Sequence, residues 1–174
     1  AQREIVRRVH AGEFHLHHVI QQTYFMRRSN TNMYGKPRSW TDELLWHQAC
    51  HMVDFMYWLF DDPNLDAWAQ TGPNHSQLNI PMDITIGLRA PSGCIVTSAN
   101  SFNNHGPITA TYRFIGEEAT YLLEKGKLTD TEGNEVPLEG RIFWLDQTIQ
   151  NLNDDSPFGK VVEDLLIRWR DATK

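Results

Sequence analysis

Two histidines four residues apart, His47 and His51, are followed three residues later by Asp54. On a helix these positions share a face with Leu44 and Trp58. Two imidazoles and a carboxylate on one stripe of an otherwise apolar segment suit three kinds of chemistry. An imidazole titrates near neutrality and can take a proton from a hydroxyl. Two histidines at this spacing can also hold a metal ion from one face. The third reading is structural, with each polar group satisfied inside a core. Gln48 stands where a metalloprotease helix carries its glutamate, and no second cysteine or histidine pair has ligand spacing, so no metal is expected.

The element that positions the stripe spans residues 41–60. Thr41 precedes two acids, Asp42 and Glu43, as a helix N-terminus prefers. Asp61, Asp62 and Pro63 end it, because proline cannot continue a helix. The pattern predicts one amphipathic helix over the whole stretch.

Around it the chain reads helix, strand, helix, strands, helices. Residues 2–11 are helical in pattern, with Ile5 and Val9 on one side and Gly12 as the stop. Residues 14–28 are rich in β-formers, with both faces half apolar; His15, His17 and His18 read as surface or edge residues. Residues 29–40 form a long polar loop, basic through Arg27, Arg28, Lys36 and Arg38, in a chain of net charge −6. Such loops often carry function, and arginine's planar fork suits a carboxylate. A short strand is expected over residues 65–71, then a loop with Asn74, His75 and Asn79. Ile84, Ile86, Leu88 and Ala90 alternate with Asp83, Thr85, Gly87 and Arg89, and Pro91-Ser92-Gly93 turns the chain into a return strand over residues 94–102. A polar loop with Asn103 and Asn104 leads to strands over 108–115 and 120–124, and a further hairpin folds about residues 131–134. Residues 142–172 resume a helical pattern.

The fold class expected is α+β, a mainly antiparallel open sheet with helices on one face. The other face, bearing Val19, Phe25, Ile95 and Ala99, is available for a second subunit, so a homo-oligomer is expected. The acidic balance excludes nucleic acid and anionic membranes as expected partners. No apolar run reaches the length of a membrane span. Cys50 and Cys94 read as core residues of a reducing compartment, which makes the cytoplasm the expected location.

The motifs resemble the C-terminal domain of the glucose–fructose oxidoreductase / inositol dehydrogenase (Gfo/Idh/MocA) family. The resemblance lies in the helix 44–55 followed by Trp58-Leu59, and in Arg113-Phe114-Ile115-Gly116-Glu117. His51 matches the family's catalytic histidine and Asp54 its later aspartate, whereas His47 stands where most members carry an aspartate. His47, Ala49 and His51, with Arg38-Ser39-Trp40-Thr41-Asp42 and Ser101-Phe102-Asn103-Asn104, are similar to a branch acting on a carboxylated hemiacetal from aromatic catabolism. The resemblance implies His51 as base, with His47 orienting, relaying or taking the base role itself. It implies Arg38, Trp40, Asn103, Asn104 and His75 around the substrate, and NAD or NADP as cofactor. The family's dinucleotide fingerprint is not found in these residues, and the start at Ala1 reads as the inside of a longer protein, its Rossmann domain preceding residue 1. By itself the chain is then expected to be inactive. A sugar or polyol dehydrogenase of the same family, and a non-enzymatic binding or dimerisation module, are the alternatives.

Overall fold

The computed structural model describes residues 1–28, 34–36 and 44–138. All the elements belong to one compact unit, Ala1–Pro137. They are helix α1 (Gln2–His10), strand β1 (Leu16–Tyr24), a π-helical turn (Leu45–Ala49), helix α2 (Cys50–Phe60), and strands β2 (Asp66–Thr71), β3 (Asp83–Arg89), β4 (Ile95–Ser101), β5 (Thr109–Gly116), β6 (Thr120–Glu124) and β7 (Lys127–Thr129). The expected helical pattern over residues 142–172 lies outside the described residues.

The strands form one sheet in the order β2-β3-β4-β1-β5-β6-β7. Every neighbouring pair is antiparallel except β1 and β4, which run parallel with Val19 opposite Val96. The α+β class stands, but the sheet is mixed, not a plain meander. β1 slots between β4 and β5, so residues 102–108 must bridge two strand spacings, roughly 10 Å. A two-residue hairpin cannot do that, which is why this connection is long. By contrast β6 and β7 are joined through Lys125 and Gly126, both at positive φ, the backbone of a tight hairpin turn. The expected hairpin about residues 131–134 forms as a turn, but its return strand shrinks to one bridge between Thr129 and Glu135.

Register fixes which side chains meet the helices. Val19, Gln21 and Thr23 of β1 are buried, and their cross-strand partners Val96, Ser98, Asn100, Phe114 and Tyr112 share that face. Ile84, Ile86 and Leu88 of β3 join them, as their alternation requires. The opposite face carries His18, Ile20, Gln22, Thr97, Ala99, Arg113 and the exposed Ile95 and Trp68. Val19 therefore does not belong with Ile95 and Ala99. Parallel pairing sets Val19 against Val96, one pleat away from Ile95, and a shift by one residue exchanges the faces.

Helix α2 buries Met52, Phe55, Met56 and Leu59. Each such side chain contributes about 1.5–3 kcal/mol of apolar burial. The Phe55 ring meets Tyr112 and Phe114 edge-on, at centroid distances of 5.3 and 6.1 Å. The helix stops at Asp61, which is left-handed at φ 50° and sends its N–H to Tyr57 O. Instead of one uniform helix, the segment enters through the π-turn. Leu44 and Ala49 explain it. Both are buried, at 2% and 0% exposure. Five residues apart on an α-helix they would point about 140° from each other; the wider i to i+5 turn brings both onto the core.

Candidate functional site

The π-turn and α2 give the two histidines different surroundings. His47 is half-buried, and its ring meets Phe102 edge-on at 5.9 Å. His51 is exposed on the outer side of α2 with Asp54, Tyr57 and Trp58. Among the described residues neither His51 nor Asp54 has a hydrogen-bond or ion-pair partner within the chain, and both are exposed. The stripe predicted from sequence is thus half retained. His51, Asp54 and Trp58 share the outward face, Leu44 turns into the core, and His47 sits between them.

Phe102 is the node beneath His47. It is fully buried, with its N–H bonded to Met82 O at 2.7 Å. Its carbonyl accepts the Arg27 N–H at 3.0 Å and Nη1 of Arg28 at 2.9 Å. Its ring packs on Phe25 at 4.7 Å, and the Arg27 guanidinium lies over it at 5.2 Å. Residues 25–28 and 102–104 therefore close together at the end of the sheet where His47 sits.

Asn103 and Asn104 lie there too, and their amides shape the loop. Nδ2 of Asn103 donates to Oδ2 of Asp83, whose Oδ1 accepts the Ser101 hydroxyl at 2.6 Å. Asn104 accepts the Gly106 N–H at 3.2 Å and donates to Pro107 O at 2.8 Å. His75 folds the residue 72–82 loop in the same way. Its Nδ1 accepts the N–H groups of Gln77 and Leu78 at 3.2 and 3.3 Å. Nδ1 is thereby the acceptor nitrogen, and the proton of a neutral ring sits on Nε2. Arg38 and Trp40 lie outside the described residues. Sequence reasoning missed Phe102 and Asp83 as organisers. Asp83 carries a signal, an acid opening an otherwise apolar strand; Phe102 carries none beyond its place in Ser101-Phe102-Asn103-Asn104.

Beneath Phe102 a buried polar row crosses the two parallel strands. Ser98 Oγ donates to Gln21, Gln21 to Thr23, and Asn100 to Ser98 at 2.9 Å. Asn100 Oδ1 has no partner and is out of contact with solvent.

The other cluster of chemistry-bearing groups lies at the opposite end of the sheet. His15 Nδ1 pairs with Glu118, and these two with Glu117 place one ligand atom each within 4.8 Å of one another. All three are exposed, and His47, His51 and Asp54 do not converge in that manner. The His15 pair holds the Glu118 carboxyl down to about 2 and raises the imidazole. Neither cysteine is in a disulfide, and burial pushes Cys94 up to about 12, which leaves it inert.

Two open clefts, of about 350 and 330 Å³, flank β2. Neither includes His47 or His51. No helix among the described residues is long and apolar enough to cross a membrane.

Known proteins agree with this architecture. Residues 1–141 match the family model for bacterial oxidoreductases, C-terminal. The chain is 41% identical over 129 residues to a 4-carboxy-2-hydroxymuconate-6-semialdehyde dehydrogenase of Sphingobium sp. (strain NBRC 103272 / SYK-6), covering 74% of this chain and 40% of that protein. Its fold is similar to that of an aldose-aldose oxidoreductase from Caulobacter crescentus, with a TM-score of 0.61 at 13% identity, covering 82% of this chain and 45% of that one. The WlbA dehydrogenase from Bordetella pertussis, solved with NADH and UDP-GlcNAcA, gives a TM-score of 0.57 at 17% identity over 70% of this chain and 38% of its own. The chain thus spans less than half the length of these relatives. With the family model covering four-fifths of its residues, the chain belongs to the bacterial oxidoreductase C-terminal domains of the Gfo/Idh/MocA type.

Proposed function

We propose that this chain is the substrate-binding and oligomerisation domain of an NAD- or NADP-dependent oxidoreductase that acts on a CH–OH group, with a carboxylated hemiacetal from aromatic catabolism as substrate class. The main support is the placement of His51. It stands exposed on helix α2 beside Asp54, with no hydrogen-bond partner among the described residues. Its neighbour His47 leans on the Phe102 node, next to Arg27 and Arg28. A hydroxyl whose carbon gives up hydride must lose its proton to a base, and an imidazole suits that near neutral pH. His51 is the proton acceptor in this reading and His47 orients it or the substrate. Arg38, Trp40, Asn103, Asn104 and His75 remain the proposed substrate contacts, with the Asn103 carbonyl and His75 Nε2 as the atoms the loops leave over.

NAD or NADP would supply the hydride acceptor. In this reading the dinucleotide is bound mainly by an N-terminal domain preceding these residues, and no step here runs through it. The relative named for 4-carboxy-2-hydroxymuconate-6-semialdehyde supports a carboxylated substrate. So does the basic end of an acidic chain, since neutral polyols need no cation. The open sheet face, with Trp68 and Ile95 exposed, supports a homo-oligomer, and the cytoplasm is the proposed location.

The test is His51→Ala in the full-length protein, assayed with that semialdehyde and each dinucleotide. Turnover should fall on the order of 10²-fold or more while dinucleotide affinity is unchanged. Survival of turnover would remove His51 from the base role.

A further inference from the structure

We propose that the cleft beside β2 on the open face of the sheet is a binding site for a neutral, hydroxylated ring of the pyranose kind, with Trp68 as its platform. The proposal is independent of the carboxylated-substrate reading and concerns a different place on the molecule.

Pairing sets Trp68 opposite Gly87 and Gln70 opposite Thr85, and the Gly72 N–H bonds to Asp83 O. Alternation then puts Trp68, Gln70, Asp83, Thr85 and Gly87 on one face, away from the buried Ile84, Ile86 and Leu88. Helix α2, which carries His51, packs through Phe55 on the other face, so the sheet stands between this cleft and the histidines.

The Trp68 indole lies across Gly87. A Cβ built on Gly87 would fall 2.1 Å from its Nε1 and 2.3 Å from its Cε2, so the pose depends on glycine. The ring is still 58% exposed, on an edge strand whose six residues are all exposed. The cleft in front of it, about 350 Å³, is of a size that takes a small molecule. Two groups lining it, the Gln70 amide and the Thr85 hydroxyl, make no hydrogen bond among the described residues. The Asp83 carboxylate is fixed by the Ser101 hydroxyl and Asn103 Nδ2, and each of its oxygens keeps a second acceptor position.

This set of groups names a ligand class. The negative face of an indole attracts the positively polarised C–H groups of a saturated ring. Amide, hydroxyl and carboxylate can then meet the hydroxyls around the edge of that ring. Among the described residues no cation lines the cleft and one carboxylate does, which disfavours an anion. The same face is proposed above for a second copy. β2 is the margin of that face, three strand spacings, roughly 14 Å, from β1, so a copy centred on β1 leaves the cleft room.

Ligand-observed NMR titration of the full-length protein decides it. Methyl β-D-glucopyranoside is the probe, methyl β-D-glucuronide its anionic counterpart, and benzyl alcohol a flat ring without the hydroxyl edge. The unaltered protein should bind the glucoside and prefer it to both others. Trp68→Ala should weaken the glucoside by roughly 10-fold. Gly87→Ala should lose as much although it keeps the indole, because its methyl group displaces the ring. His51→Ala should leave this binding unchanged. Near-UV circular dichroism shows whether each variant is folded. Binding that survives in folded Trp68→Ala but is lost in His51→Ala would place the sugar at the histidines and overturn the proposal. A preference for benzyl alcohol would make the cleft a plain apolar surface, and a preference for the glucuronide would contradict its charge; either overturns it. No glucoside binding to the unaltered protein also overturns it, and dissociation of the oligomer by Trp68→Ala would then assign the indole to the subunit contact.

Discussion

The two ends of the sheet are built from the same strands and do different work. At one end the connections are tight. Residues 90–94 turn β3 into β4 with Gly93 at φ 90°, and Gly116 to Ala119 closes β5 onto β6. Ion pairs brace it: Glu4 with Arg7 and Arg8, Arg7 with Glu13, His15 with Glu118. At the other end the β6–β7 turn is tight too, but the β2–β3 and β4–β5 connections are long, and polar side chains shape this end by bonding to main chain or to each other: His75, Asn103, Asn104 and Arg28. The difference follows from topology. Hairpin neighbours can be joined in two or three residues, whereas β4 must pass over β1 to reach β5, and β1 must reach a helix on one face; the 72–82 loop is the exception, since it joins the neighbours β2 and β3 and its length is not imposed by the strand order. Length forced by the topology supplies loop residues, and loops on a rigid sheet are where recognition groups collect. The first end should therefore govern stability alone, and the second both stability and turnover.

The sharpest test uses two fully buried phenylalanines, Phe102 and Phe114. Truncation of either to alanine should cost about 3–5 kcal/mol in chemical denaturation. Phe114 packs on Phe55 and Tyr112 in the middle of the sheet, away from His47. Only Phe102→Ala should also depress turnover of the full-length enzyme, measured where both variants are folded. Equal losses of turnover would erase the distinction between the regions.

Next in size is Glu4, nearly buried and held down to about 2 chiefly by its hydrogen bonds to Arg7, with Arg8 adding to it. A carboxylate with a depressed folded-state pKa stabilises above its ordinary value, 4.5, and loses that contribution as pH falls through 2. The full contribution is at most about 3 kcal/mol. Glu4→Gln should cost about 1–3 kcal/mol near neutral pH and flatten the acid-unfolding curve between those values, with no change in substrate affinity. A changed affinity would place this end in the site.

Much of this was legible in the sequence and the remainder had physical reasons to stay hidden. Alternation in residues 83–90 and the Pro91-Ser92-Gly93 turn fixed a hairpin because both signals are local. The insertion of β1 between β4 and β5 joins residues some 80 apart, and period-two patterns carry no partner information. Val19 was placed on the open face for that reason. His47 and His51 were visible as a pair, but their different exposure depends on the π-turn. Only the five-residue spacing of Leu44 and Ala49 hints at that turn, in a segment whose apolar residues also satisfy an α-helix. Arg27 was visible as one charge among four; that it differs from Arg28 follows from Phe102, which arrives from another strand.

Two smaller effects belong to the braced end. Gly93 at φ 90° has open space around an added Cβ, so Gly93→Ala meets only backbone strain. It should cost about 1–2 kcal/mol in urea denaturation and leave turnover alone.

The smallest is the exposed pair of His15 and Glu118. Its signs are opposite at the two limbs. The pairing raises His15, so its contribution is full below the ordinary imidazole value and fades as pH climbs through the raised one. Glu118, lowered to about 2, contributes fully above 4.5 and fades as pH falls. Both are charged only between, so the stability difference between the unaltered protein and Glu118→Gln should be bell-shaped in pH, with its top between about 4.5 and 6.5. Since both groups are in solvent, the bell should shrink as salt is raised. A difference that stayed flat with pH, or held its height in high salt, would mean that Glu118 acts through its bond to the His15 N–H and not through charge. The braced end would then be held by main-chain geometry, as the loops of the opposite end are.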